Sequence, residues 1–190
     1  MRSKFSDVGS NVQSSSGSDV DRSQGAARAI SSFIDPALSW KDIAWFQSIT
    51  KMPILLKGVQ RVEDVIKAIT YGCQGVVLSN HGGRQLDFAR SGIEVLAEVM
   101  PELRRLGLQD KLEIYIDGGI RRATDIIKAL CLGATGVGIG RPFLYAMSAY
   151  GLPGVDRAMQ VRLQSFKTSW SQLGECLLTQ PLSYSRMNSR

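Results

Sequence analysis

Gly75-Val76-Val77-Leu78-Ser79-Asn80-His81-Gly82-Gly83-Arg84-Gln85 is a short, wholly apolar run that breaks off into polar and glycine residues. A strand with one wet face alternates apolar and polar positions, whereas a strand covered on both faces is apolar throughout, as in parallel sheets. Three further runs have the same form: Pro53-Ile54-Leu55-Leu56-Lys57-Gly58-Val59, Leu112-Glu113-Ile114-Tyr115-Ile116-Asp117 and Gly136-Val137-Gly138-Ile139-Gly140. Between them the apolar spacing turns helical over residues 40–49, 62–71, 93–106 and 123–132. Gly72, Gly107 and Gly133 stand where helix C-termini favour a left-handed residue, and Thr50 closes the first helix.

The strand runs begin at residues 53, 75, 112 and 136, so each interval has room for a crossover helix. Four βα units in succession imply a parallel α/β architecture. A doubly wound sheet gathers its site at one switch point, but here every strand ends on a distinctive polar residue, which favours a TIM (β/α)8 barrel. Four strands are half of such a barrel.

Outside these units the character changes. Residues 1–32 are rich in Ser, Gly, Asp and Gln, and read as a mobile segment. The barrel part is expected over residues 33–166, with a last helix from about 155 to 166 and an irregular tail over 167–190. No apolar run approaches the roughly 18 residues that span a bilayer, and the N-terminus carries no signal-like stretch. The expectation is a soluble, intracellular protein, mitochondrial or cytoplasmic, with no membrane partner.

Of 190 residues, 23 are Lys or Arg and 17 Asp or Glu, a net charge of +6. The excess is spread along the chain with no basic block, which argues against nucleic acid as a partner. Cys73, Cys131 and Cys176 are scattered and odd in number, which suggests buried, reduced thiols rather than a disulfide framework. No metal is expected.

His81 is the only histidine, set beside two glycines and followed by Arg84. A base titrating near neutrality beside a planar cation suits proton removal from a bound 2-hydroxy acid whose carboxylate the guanidinium grips. Lys57 lies inside an apolar run and should point out of its strand's C-terminal end toward an anionic or carbonyl-rich ligand. Asp117-Gly118-Gly119-Ile120-Arg121 and Gly140-Arg141-Pro142 place glycine amides and arginines at two successive strand ends, where TIM barrels bind phosphate.

The stretch from residue 33 to 150 resembles the C-terminal half of the FMN-dependent 2-hydroxy acid dehydrogenases and oxidases. Ser79-Asn80-His81-Gly82-Gly83-Arg84-Gln85 matches that family's active-site signature, and Phe33-Ile34-Asp35-Pro36 and Lys128-Ala129-Leu130-Cys131-Leu132-Gly133-Ala134 look closest to its flavocytochrome b2 branch. The resemblance implies strands five to eight of the barrel, an FMN cofactor and oxidation of a small L-2-hydroxy acid, lactate-type, to the keto acid. By it, His81 is the base and Arg84 binds substrate. Lys57 and Ser79 contact the flavin ring, while Asp117, Gly118, Gly119, Ile120, Arg121, Gly140 and Arg141 hold the ribityl chain and phosphate. It implies a homo-oligomer, a tetramer, for full-length relatives and leaves the electron acceptor open.

Two other readings stand beside it. One is a non-catalytic half-barrel that binds FMN, another phosphate-bearing ligand or a partner half. The other is a phosphate-binding barrel with isomerase or lyase chemistry, which Lys57 and Asp117 would suit but the contiguous His81 to Arg84 signature does not.

Overall fold

The computed structural model describes residues 37–177, with side chains through residue 171. The expected mobile segment at 1–32, the last part of the tail and the side chain of Cys176 lie outside the described residues. The chain divides into two units, Met1–Trp45 and Phe46–Arg190, and the sheet belongs entirely to the second. In the first unit the Ser39 amide and hydroxyl donate to Asp42 Oδ2 at 2.7 and 2.9 Å, closing the turn from which helix α1 (Asp42–Ile49) starts.

The second unit contains β1 (Leu55–Val59), α2 (Val62–Thr70), β2 (Gly75–Leu78), a 3₁₀ turn (His81–Gly83), α3 (Gly92–Arg105), β3 (Glu113–Asp117), α4 (Ala123–Leu132), β4 (Gly136–Gly138) and α5 (Arg141–Leu177). All strand pairs are parallel, and the order is β1-β2-β3-β4. A doubly wound sheet reverses its order at a switch point, and this one does not, so the topology is that of one arc of a TIM barrel.

The same backbone device ends three helices. The amide of Cys73 reaches the carbonyl of Ala68 at 3.0 Å, that of Leu108 reaches Leu103 at 2.8 Å, and that of Ala134 reaches Ala129 at 3.0 Å. Each catch requires a left-handed residue just before its donor. Gly72, Gly107 and Gly133 supply it with φ of +72°, +67° and +115°.

Side-chain alternation gives the sheet two faces. Val76, Leu78, Ile114 and Ile116 are buried on the helix side, along with Val65, Ala68, Val95, Leu96, Val99 and Leu103 from α2 and α3. Fully burying a Val, Leu or Ile contributes about 1.5–3 kcal/mol, so this layer is the source of the unit's stability. The other face carries Lys57, Glu113, Tyr115 and Asp117, and Tyr115 Oη donates to Glu113 Oε2 at 2.7 Å. Gly136 allows the Tyr115 ring to lie flat there, since a Cβ at that position would stand 3.2 Å from it.

Two expectations need correction. The last helix begins at Arg141, directly after β4, and continues to Leu177, so the tail predicted to be irregular from residue 167 is helical to 177. The backbone breaks helical geometry only at Gly151 (φ 61°, ψ −151°), just ahead of Pro153. Its later part lacks an amphipathic period and carries local contacts. Thr168 Oγ1 donates to the Gln164 carbonyl at 3.0 Å, Ser171 Oγ to that of Thr168 at 2.8 Å, and Phe166 stacks on Trp170 at 5.6 Å. Secondly, Cys73 is buried, with its thiol pKa raised by burial, but Cys131 is exposed. An apolar helical run is buried along one stripe only, and Cys131 falls outside it.

Candidate active site

The C-terminal ends of β1, β2 and β3 meet at a three-way contact. Lys57 Nζ lies 3.0 Å from Asp117 Oδ2 and donates to Ser79 Oγ at 3.1 Å. Ser79, a buried polar residue at the end of β2, also accepts the His81 amide at 2.9 Å. The sequence pointed Lys57 toward an anionic or carbonyl-rich ligand, and the structure pairs it with a carboxylate of its own chain. The second carboxylate oxygen, Asp117 Oδ1, is buried without a hydrogen-bond partner.

His81 follows on a loop that turns left-handed at three consecutive residues, with φ of 58° at His81, 66° at Gly82 and 75° at Gly83. A non-glycine residue in that region costs about 1–2 kcal/mol, so the loop must be held from outside. Asn80 Oδ1 accepts the Gly83 amide at 3.0 Å, and Arg141 Nη2 donates to the Gly82 carbonyl at 2.7 Å. The Gln85 side-chain amide lies 3.1 Å from His81 Nδ1, which leaves Nε2 for a ligand. Gln85 belongs to the quoted signature, but no role was read for it. Its spacing of four residues from His81 was the available signal.

His81, Arg84, Gly118, Gly119, Arg121, Gly140 and Arg141 line one depression of about 700 Å³. Lys57 and Ser79 line an adjoining hollow of about 810 Å³, and the two share His81. Asp117 borders the first, and Ile120 reaches it only through its backbone, since its side chain is in the core. The turn after β3 is fixed by Asp125, whose Oδ2 accepts the amides of Arg121 at 3.0 Å and Arg122 at 2.8 Å. Partial burial raises the Asp125 pKa, but those two amides outweigh it and leave the carboxyl below its ordinary value. Three residues of α5 lie outside the motifs read from the sequence, Leu144, Tyr145 and Arg162, and they also line the depression. Arg162 lies 21 residues beyond Arg141 in a segment without any motif.

The donor set fits a flavin nucleotide. Gly118 and Gly119 have φ of 84° and 76°, and nothing stands within 4 Å of where a Cβ would project from Gly119 or Gly140. The backbone is therefore open to close approach at two strand ends, with arginines in the same lining, as a phosphate site requires. The orphaned Asp117 Oδ1 offers an acceptor for ribityl hydroxyls.

Known proteins are similar to this chain. An L-lactate dehydrogenase (cytochrome) of Wickerhamomyces anomalus is 62% identical over 174 residues, covering 92% of this chain and 30% of the relative. Glycolate oxidase 3 of Arabidopsis thaliana is 42% identical over 156 residues, covering 82% of this chain and 41% of that protein. The flavin-binding domain of baker's yeast flavocytochrome b2 superposes with a TM-score of 0.75 at 59% identity, over 80% of this chain and 39% of that one. The chain thus spans about a third of the length of the lactate dehydrogenase it matches. The family model for FMN-dependent dehydrogenases matches residues 2–181, and the chain belongs to that family.

Proposed function

We propose that the chain contributes the proton-transfer and phosphate-binding side of an FMN-dependent L-2-hydroxy acid dehydrogenase of lactate type. One observation carries the reading: His81, Arg84, the Gly118-Gly119 turn and Arg141 border a single depression. FMN, when bound, supplies the two-electron acceptor.

Arg84 holds the substrate carboxylate through a two-toothed contact, which fixes the 2-hydroxyl relative to the loop. His81 Nε2 takes a proton from the bound acid. Gln85 occupies Nδ1, and its amide can offer an N–H to the neutral ring or, after a half-turn, a carbonyl oxygen to the protonated one. Arg121 and Arg141 with the glycine amides take the phosphate, and Ser79 and Lys57 lie toward the ring end. The higher identity to the cytochrome-linked relative than to the oxidase favours a haem-protein electron acceptor over oxygen.

The test is binding of FMN and riboflavin followed by fluorescence, with lactate added under anaerobic conditions to the FMN complex. Tighter binding of FMN and bleaching of its absorbance by lactate are expected. Equal affinity for the two flavins would overturn the phosphate cradle, and bound FMN that lactate leaves oxidised would overturn the proton-transfer assignment. A second reading, FMN binding without turnover, is favoured by the chain's coverage of only 30% of its relative, and the same two readouts separate it.

A further inference from the structure

We infer that Arg162, on the later part of α5, is an additional anion ligand of this depression and binds the FMN phosphate together with Arg121 and Arg141. The inference rests on the cradle described above and adds a residue that lies outside every motif.

Arg162 lines the depression beside Arg121 and Arg141. Its guanidinium carbon stands 5.0 Å from the centroid of the Phe143 ring, and its Nη1 donates to the Ala158 carbonyl at 3.0 Å. Phe143 is two residues beyond Arg141, so the stacked ring keeps a cation from the far part of α5 against the segment that opens it. Its Nε is buried without a hydrogen-bond partner, so protein groups satisfy the guanidinium only in part.

The balance of charge in the depression agrees. Four arginines border it, and its one carboxylate, Asp117, is already paired with Lys57. Arg84 is committed to the substrate carboxylate, and Arg141 spends one N–H on the Gly82 carbonyl. A phosphate monoester carries about 1.5 to 2 negative charges and three acceptor oxygens, so a third guanidinium offers each terminal oxygen its own charge-assisted donor.

Titration of the full chain with FMN and with riboflavin tests this, for the unmodified protein, Arg162→Met and Arg162→Lys. Arg162→Met should weaken FMN binding about tenfold or more, as loss of a charge-assisted contact does, while leaving riboflavin affinity unchanged. Arg162→Lys should recover part of the loss, because it keeps the charge and not the fork. Inorganic phosphate should compete with FMN less well in the Met variant. If Arg162 only anchors α5 to Phe143, both flavins weaken together and the inference falls. It falls equally if neither affinity changes. Absence of any FMN preference in the unmodified chain would remove the cradle as well, whereas a preference that survives Arg162→Met would remove only Arg162 from it. Should the Met variant unfold on a thermal scan, Arg162→Gln repeats the comparison with a neutral donor.

Discussion

Arg141 Nη2 donates to the carbonyl oxygen of Gly82 at 2.7 Å, so the first residue of α5 holds the loop that presents His81. In the proposed reading, phosphate binding and proton transfer are thereby joined through one guanidinium. Gly82→Ala should break that joint. The added Cβ would stand 2.9 Å from Arg141 Nη2, and the position needs φ of 66°. A thermal scan should show a loss of more than about 1 kcal/mol, and the preference for FMN over riboflavin should narrow along with it.

Replacing His81 by Gln in a barrel completed with the preceding strands of a relative should leave FMN bound. Turnover of lactate should fall by about 10²- to 10⁴-fold, the usual contribution of a general base. Steady-state kinetics with an artificial electron acceptor reads the change, and near-normal turnover would remove His81 from the role.

Ser79→Ala removes the oxygen that accepts from both Lys57 Nζ and the His81 amide. Losing both hydrogen bonds at the buried Ser79 should cost about 1–3 kcal/mol in urea unfolding. Lys57→Met should cost less, about 1 kcal/mol or below, since that side chain is half exposed and its ion pair with Asp117 is screened.

Helix α3 starts with a reciprocal cap: Ser91 Oγ accepts the Glu94 amide while Glu94 Oε2 accepts the Ser91 amide at 2.8 Å and hydroxyl at 2.7 Å. The Ser91 hydroxyl first, and then its amide, hold the Glu94 carboxyl below its ordinary pKa. A carboxyl depressed in the folded state adds stability above its unfolded pKa of about 4.3, and that stability is lost as pH falls through the lower folded value. Ser91→Ala should therefore cost about 1 kcal/mol at pH 7, and the gap from the unmodified protein should shrink in melts below about pH 4.

Gly92→Ala probes the seat of the same helix. A Cβ there would come within 2.4 Å of the Leu78 carbonyl oxygen and 3.1 Å of that of Asp117, both rigid backbone. Overpacking of this kind costs about 1–3 kcal/mol. Equilibrium unfolding measures it, and an unchanged midpoint would show that α3 can lift off the strand ends.

The architecture was legible because uniformly apolar runs and glycines at helix ends are local signals. α4 was expected at 123–132 and is observed as Ala123–Leu132, and Gly72, Gly107 and Gly133 perform the turns assigned to them. The gathering of His81, Arg84, Gly118, Gly119 and Arg141 followed from placing each motif at the same end of parallel strands. What stayed hidden depends on contacts distant in sequence. The pairing of Lys57 with Asp117 spans three strands, the bond from Arg141 to Gly82 spans 59 residues, and neither leaves a mark on local composition. α5 beyond residue 166 was missed for a different reason, since the run Thr168-Ser169-Trp170-Ser171-Gln172 carries no apolar period.

Each of β2, β3 and β4 hydrogen-bonds to the strand immediately before it in sequence. As the chain leaves the ribosome, β2 finds β1 already exposed as a template, β3 finds β2, and β4 finds β3. The sheet can thus grow by addition at one advancing edge, with no strand waiting for a partner that has not been synthesised. Loop-closure entropy is then spent in small instalments of one βα unit at a time, which favours rapid, vectorial assembly over a single late collapse.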